Sequence, residues 1–204
     1  MGLAGKSKHD VVSEFRCGEI LAAARTVFAV SGFNNTTMDE IASAAGIAKG
    51  TVYLYFSSKK DIYLAALKHG LTELMDRTRT NMHSANGIQA RLRAFVRTRI
   101  EYAEANRDFI KIYHSEFGNL TNAAAHDSEF QQLYLLQANE LEKVLRGAMD
   151  SGEIRHVRSD FAAFIIYDMV RGVMTQRLLG WSSVPLEEDI ELLNDLIWKG
   201  IVAS

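Results

Sequence analysis

Proline occurs once in this chain, at position 185. Its ring removes a backbone donor and clashes with the preceding turn, so proline is the strongest local veto on a helix interior. Everything before residue 185 is therefore open to long, uninterrupted helices. Apolar spacing uses that freedom. From Asp10 to Ser31, Phe15, Ile20, Ala24, Val27 and Phe28 recur at helical intervals, and Gly32 ends the run where a left-handed turn is tolerated.

After the polar connector Asn34-Asn35-Thr36, the run Thr37-Met38-Asp39-Glu40 has the Thr-x-x-Glu form of a capping box. It predicts a second helix from Met38 to about Ala45. Gly46 permits a tight turn, and a third, short helix starts near Ala48 or Lys49. Ser58 and Asp61 form a cap pair for a fourth helix reaching toward His83. Beyond the break Ser84-Ala85-Asn86-Gly87, helices are predicted near 88–106, 109–118, 127–151, 160–180 and 186–202. No strand alternation bounded by hairpin turns is present. The expected fold is all-α with about nine helices: a basic arm over 1–9, a three-helix helix-turn-helix head over 10–57, and a helical body over 58–204.

Several function classes lose support. Cys17 is the single cysteine and cannot form an internal disulfide, and no Cys/His cluster offers a metal site. There is no Gly-rich phosphate loop, metal-spaced His pair or nucleophile elbow, and the six histidines are scattered. Neither an enzyme nor a cofactor is expected. No stretch approaches the roughly 18 to 20 apolar residues of a membrane span. The start lacks the apolar run of a signal peptide, and Lys6 stands where a myristoylation motif needs Ser or Thr. A cytoplasmic chain without a membrane partner is the expectation.

The formal net charge of -2 argues at first against a nucleic-acid partner, but it is unevenly placed. Residues 1–60 carry seven Lys/Arg against five Asp/Glu, and the rest of the chain is acidic. A mildly positive head on an acidic body suits phosphate contact at one end only.

The segment Gly32 to Phe56 carries the chemistry. Two short helices around a Gly-containing turn are what a DNA-reading helix-turn-helix requires, the second entering a major groove about 12 Å wide. Ile41, Ala44 or Ala45, Ile47 and Val52 are the expected small core between them. Lys49, Gly50, Thr51, Tyr53 and Tyr55 set a cation, a small residue, a hydroxyl and two phenols within seven residues. Lys49 suits a phosphate or a guanine edge, Gly50 admits close approach of DNA, and Thr51 suits a base, a phosphate or a thymine methyl. Two tyrosines spaced by two cannot share one helix surface. Tyr53 is assigned to phosphate; Tyr55 either reaches DNA too or anchors the helix end. Lys59 and Lys60 open the fourth helix, whose positive end favours phosphate, although for Lys60 a solvated surface lysine is the plainer reading.

Gly32-Phe33, Thr36-Thr37, Ile41-Ala42, Ala45-Gly46, the run Lys49-Gly50-Thr51-Val52-Tyr53-Leu54-Tyr55-Phe56 and Ser58-Lys59-Lys60 resemble the signature of TetR-family regulators over about residues 10–70. That resemblance implies an all-helical dimer with an N-terminal DNA-binding domain and a divergent effector domain, in most members a repressor released from operator DNA by a ligand. It places a phosphate-contacting hydroxyl on Thr37, recognition-helix contacts on Lys49, Gly50, Thr51, Tyr53 and Tyr55, and a following lysine on Lys59. Ala48 departs from the family, where Ser or Thr commonly caps the recognition helix. The missing cap costs about 1 kcal/mol at that helix end.

In the body, residues 161–179 are apolar nearly all round, so that helix needs cover on more than one side. In the last helix, Leu186, Ile190, Leu193, Ile197 and Ile201 form a seam for helix packing. Family resemblance pairs these two helices with their symmetry mates, and reading two half-sites at fixed spacing requires a two-fold homodimer. Phe164, Asp168, Arg171, Leu193 and Ile197 are the expected interface. Asp168 and Arg171, three apart, can also pair with each other or face a cavity. Phe95, Arg99, Tyr102, Tyr113, Phe117, Tyr134 and Gln137 mix aromatics with polar heads as a small-molecule site does; core packing is the competing reading for each. No charge bias identifies an effector, although Arg99, Arg171 and His114 are groups able to hold an anion. The alternatives to a ligand-released repressor are an activator with the same head and, distantly, a helical enzyme.

Overall fold

The computed structural model of the protein describes residues 8–119 and 129–202. Among them are α1 (Lys8–Asn35), α2 (Met38–Ala44), α3 (Lys49–Tyr53), α4 (Lys59–Ser84), α5 (Ile88–Ala105), α6 (Arg107–Asn119), α7 (Glu129–Asp150), α8 (Ser159–Leu178) and α9 (Leu186–Ile201). Nothing among the described residues forms a ladder of strands. An isolated antiparallel bridge joins Ile154 to Val202, tying the α7–α8 connector to the end of α9.

Local chemistry sets the boundaries. Gly32 takes φ 73°, a left-handed conformation that breaks α1 before its last turn. Buried Thr36 then donates its hydroxyl to the Gly32 carbonyl at 2.8 Å. The capping box at α2 forms in both directions: Glu40 N donates to Thr37 Oγ1 at 3.2 Å and Thr37 N to Glu40 Oε2 at 2.7 Å. Ser58 caps α4 by accepting from Asp61 N at 3.2 Å. Ala48 leaves α3 without a side-chain cap, as its methyl group dictates.

The head closes over Ile20, Ala24, Phe28, Ile41, Ala42, Val52 and Ile62. Ile41, Ala42 and Val52 are the buried centre of the helix pair, whereas Ile47 is only half-buried and Ala44 is exposed. Tyr63 of α4 stands edge-on to both Phe28 and Phe33, each ring centroid 5.0 Å away. The first turns of α4 thus complete the head's core.

The same helix continues into the body. At Gly70 the α6 residue Phe109 approaches so closely that a Cβ would lie 2.4 Å from two ring carbons. Tyr102 of α5 donates to the Gly70 carbonyl at 3.2 Å. α4, α5 and α6 are thereby locked at one level, midway along α4. Further down, Leu141, Leu145, Ile166, Tyr167 and Val170 join α7 and α8 to α5. Arg177 pins the α8–α9 corner through Asp189 at 2.6 Å and Glu104 at 3.2 Å.

One expected seam faces the other way. Leu193 and Ile197 are 4% and 3% exposed within the chain's own core, while Leu192 and Leu196 stand 58% and 54% exposed. A side chain already out of water has almost no surface left to give a partner, so Leu193 and Ile197 are not interface residues. With Phe161, Phe164 and Ile165 of α8, the outward leucines leave an apolar surface on the body. Asp168 and Arg171 pair with each other on α8, Arg171 Nε donating at 3.0 Å. No helix of the described residues is long and apolar enough to cross a membrane.

Candidate nucleic-acid interface and ligand cleft

α3 turns its polar face outward. Lys49, Gly50 and Tyr53 are exposed, and Thr51 is half-exposed. Among the described residues, nothing outside α3 itself occupies the space that a Cβ on Gly50 would fill. The face of α3 at Gly50 is therefore open, with room for a surface to come close to the backbone. Lys49 Nζ pairs with Asp39 Oδ2 of α2 at 2.7 Å, and that hydrogen bond holds the ammonium pKa above its ordinary value. Since both side chains are exposed, phosphate can compete for the lysine.

Thr37 is exposed at the start of α2, next to this face. Tyr55 is half-buried and packs against the head's core, as an anchoring role requires. Lys59 is placed otherwise than expected. Its ammonium donates to the carbonyls of Thr36 at 2.7 Å and Asn34 at 3.1 Å and lies 4.6 Å from the centre of the Phe33 ring. These carbonyls lack helical partners beyond the Gly32 break, and a lysine above them satisfies what the backbone cannot. Leu54 is the residue that pattern reading passes over: at the end of α3 it is 81% exposed. The available signal was an apolar side chain on the helix's solvent side, with no core position to fill.

In the body a cleft of about 70 Å³, open toward solvent, lies between α4, α5 and α7. Met75, Met82, Phe95, Leu141 and Val144 give it apolar walls, with Arg99 and Gln137 among its polar lining. Of the expected pocket residues, Phe95, Arg99 and Gln137 come together here. Tyr102 does not line the cleft; its hydroxyl turns toward Glu73 at 3.0 Å, and burial together with that carboxylate raises the phenol's pKa. Tyr113 sits behind the wall, its hydroxyl 3.2 Å from that of Tyr167. The side chains of Phe117 and Tyr134 lie outside the described residues.

Arg99 is 3% exposed. Its Nη2 donates to Gln137 Oε1 at 3.0 Å and to the Tyr167 hydroxyl at 2.6 Å, and Tyr167 in turn donates to Gln137 at 2.9 Å. The guanidinium lies 4.4 Å from the Tyr167 ring centre and 5.3 Å from that of Phe95. Nearby, burial and then the Arg171 cation push the His114 imidazole down to about 4, leaving it neutral near Thr175. No group of three or more His, Cys, Asp or Glu able to hold a metal occurs among the described residues.

Comparison with known proteins matches both halves. The family described as bacterial regulatory proteins, tetR family, matches residues 20–66, and the one described as Tetracyclin repressor-like, C-terminal domain, matches 85–175. The transcriptional repressor KstR2 of Rhodococcus jostii is 31% identical over 140 residues, 65% of this chain and 69% of KstR2. The transcriptional activator FasR of Mycolicibacterium smegmatis is 37% identical over 89 residues, 44% of this chain and 41% of FasR, so this match spans well under half of that protein. The solved structure of a Saccharomonospora viridis regulator in complex with choline superposes with a TM-score of 0.78 at 25% identity, over 94% of this chain and 100% of the other.

Proposed function

Since the chain belongs to the TetR family of bacterial regulatory proteins, we propose that it is a ligand-responsive DNA-binding transcriptional regulator, a repressor released from operator DNA by a small molecule. The observation that carries this reading is the course of α4. Its first turns fill the head's core through Ile62 and Tyr63, and its last turns wall the cleft through Met75, Thr78 and Met82. One helix of 26 residues, roughly 39 Å long, thus touches both sites.

A ligand shifts the head only by binding one arrangement of α4 better than the other, with a coupling typically of about 1–3 kcal/mol. The contact of Gly70 with Phe109 makes α4 pivot rather than slide, because the ring fills the space beside it. Lys49, Gly50, Thr51 and Tyr53 then meet the major groove, Thr37 meets the backbone, and Leu54 lies against sugars or a thymine methyl. Two heads act together through a homodimer whose interface is the apolar surface of Phe161, Phe164, Ile165, Leu192 and Leu196, with the Asp168–Arg171 pair beside it. The working division is 10–57 for DNA and 58–204 for effector and dimer, in the cytoplasm where operator DNA lies.

The test is titration of a labelled duplex containing the gene's upstream region. Lys49→Ala and Tyr53→Ala should each weaken binding by about 10- to 100-fold with light scattering unchanged. For Lys49→Ala the salt slope should also fall by about one. Undiminished binding in both variants removes α3 from the interface. FasR, an activator, supports the second reading; a reporter that loses expression when the gene is deleted selects it.

A further inference from the structure

The cleft holds a charge that no described carboxylate answers. Arg99 is buried, and its hydrogen-bond partners are the neutral Gln137 and Tyr167. No carboxylate pairs with it among the described residues, unlike Arg177, which has Asp189 and Glu104. Its bonds use Nη2 alone; Nε and Nη1 carry none, yet they are not sealed away as Arg177 Nε is. A guanidinium is always charged and presents a planar fork of donors matched to an acid group. Buried cations are normally paired, so one left half-used against a cleft points to a counter-ion from outside.

The rest of the lining agrees. Arg79, ion-paired with Asp76, and Arg91 join Arg99 in the lining, whose one carboxylate is Glu140, in a chain whose net charge is -2. Arg79 and Arg91 are exposed at the mouth and Arg99 is inside, with the side chains of Met75, Met82, Leu141 and Val144 also on the walls. A cationic ligand such as choline would meet a repulsive charge at the inner end.

We propose, building on the ligand-responsive reading, that the effector is an anionic amphiphile that enters with its acid group first, a carboxylate or a phosphate docking on the free edge of Arg99 while its apolar chain lies along the methionines. The anion draws on the Arg99–Gln137–Tyr167 cluster, which joins α5, α7 and α8, so occupation of the cleft is felt on the helix that carries the outward apolar surface.

The experiment titrates the full-length protein calorimetrically with decanoate, decyl phosphate and the neutral decanol. At least one of the two anions should bind ten or more times tighter than decanol, and the tighter one identifies the acid group. In Arg99→Met that preference should shrink below threefold; in Arg99→Lys, which keeps the charge but loses the fork, part of it should survive. Arg99→Met should fold, because Tyr167 keeps Gln137 and Tyr113 as partners. Should it not, the wild-type comparison of acid with alcohol still decides. Equal binding of acids and alcohol, an unchanged preference in Arg99→Met, or no binding of any of the three overturns the proposal. Operator release is scored separately. Acid binding that leaves DNA affinity unchanged keeps the Arg99 assignment and removes the inducer reading; release by neutral ligands alone does the reverse.

Discussion

The outward groups of α3 come from one run, Lys49 to Leu54, whereas the polar groups meeting at the cleft come from different helices, Arg99 and Tyr167 lying 68 positions apart. The head's face needs little more than a short helix held at a fixed angle by Ile41, Ala42 and Val52. The cleft needs α4, α5, α7 and α8 to arrive together, and among the described residues it leaves the buried Arg99 without a paired carboxylate. A site made of neighbours tolerates changes elsewhere in the fold. A site made of distant parts can be reshaped by small shifts between helices, which is what an effector-controlled element requires.

The largest expected effect separates the two regions. Val52 is fully buried in the head, and Val52→Asp places an unpaired carboxylate there at a cost on the order of several kcal/mol. DNA binding should vanish, and hydrogen exchange should show lost protection over residues 38–56 while α5, α7 and α8 keep theirs. Loss of protection throughout would mean that head and body unfold as one unit.

Gly70→Ala strikes the junction. The added methyl meets the Phe109 ring, and overpacking of this kind costs about 1–3 kcal/mol. The melting temperature should drop, and effector binding should lose part of its influence on DNA affinity. An unchanged melting temperature would mean that the α4–α6 spacing is slack.

The next effect belongs to the body alone. Folding lowers the His114 pKa from 6.5 to about 4, burial contributing first and Arg171 second. Between those values the unfolded chain takes up a proton that the folded one refuses, so His114 costs stability progressively as pH falls from 6.5 toward 4. The melting temperature of His114→Asn should fall less than wild type between pH 6.5 and 5. Parallel curves would assign the acid sensitivity to other groups. The smallest effect lies in the head. Asp39→Asn frees Lys49 from its exposed pair, and DNA affinity should rise by at most about fivefold. Weaker binding would show that Asp39 orients the lysine for DNA rather than competing for it.

Much of the fold could be read without coordinates because its punctuation is local. The Thr37–Glu40 box, the Ser58–Asp61 cap and the turn at Gly46 act over three or four residues, and each stands where the sequence places it. The exposed cluster on α3 was equally legible, since outward orientation on so short a helix follows from the few positions its core consumes. What the pattern could not rank were like residues on opposite faces of one helix. Leu192 and Leu193 are chemically identical, and α9 has apolar groups on both sides.

By itself, then, the sequence determined the helices, their ends and the polar face of α3, because capping, glycine conformations and helical periodicity are interactions between near neighbours. Tertiary structure decided that Leu193 and Ile197 turn inward, that Lys59 is spent on the carbonyls of Asn34 and Thr36, and that Arg99 meets Gln137 and Tyr167 with no carboxylate paired to it among the described residues. Those outcomes depend on which surfaces leave water together and on which charges share a buried space. Both are settled only when segments distant in the chain pack against one another.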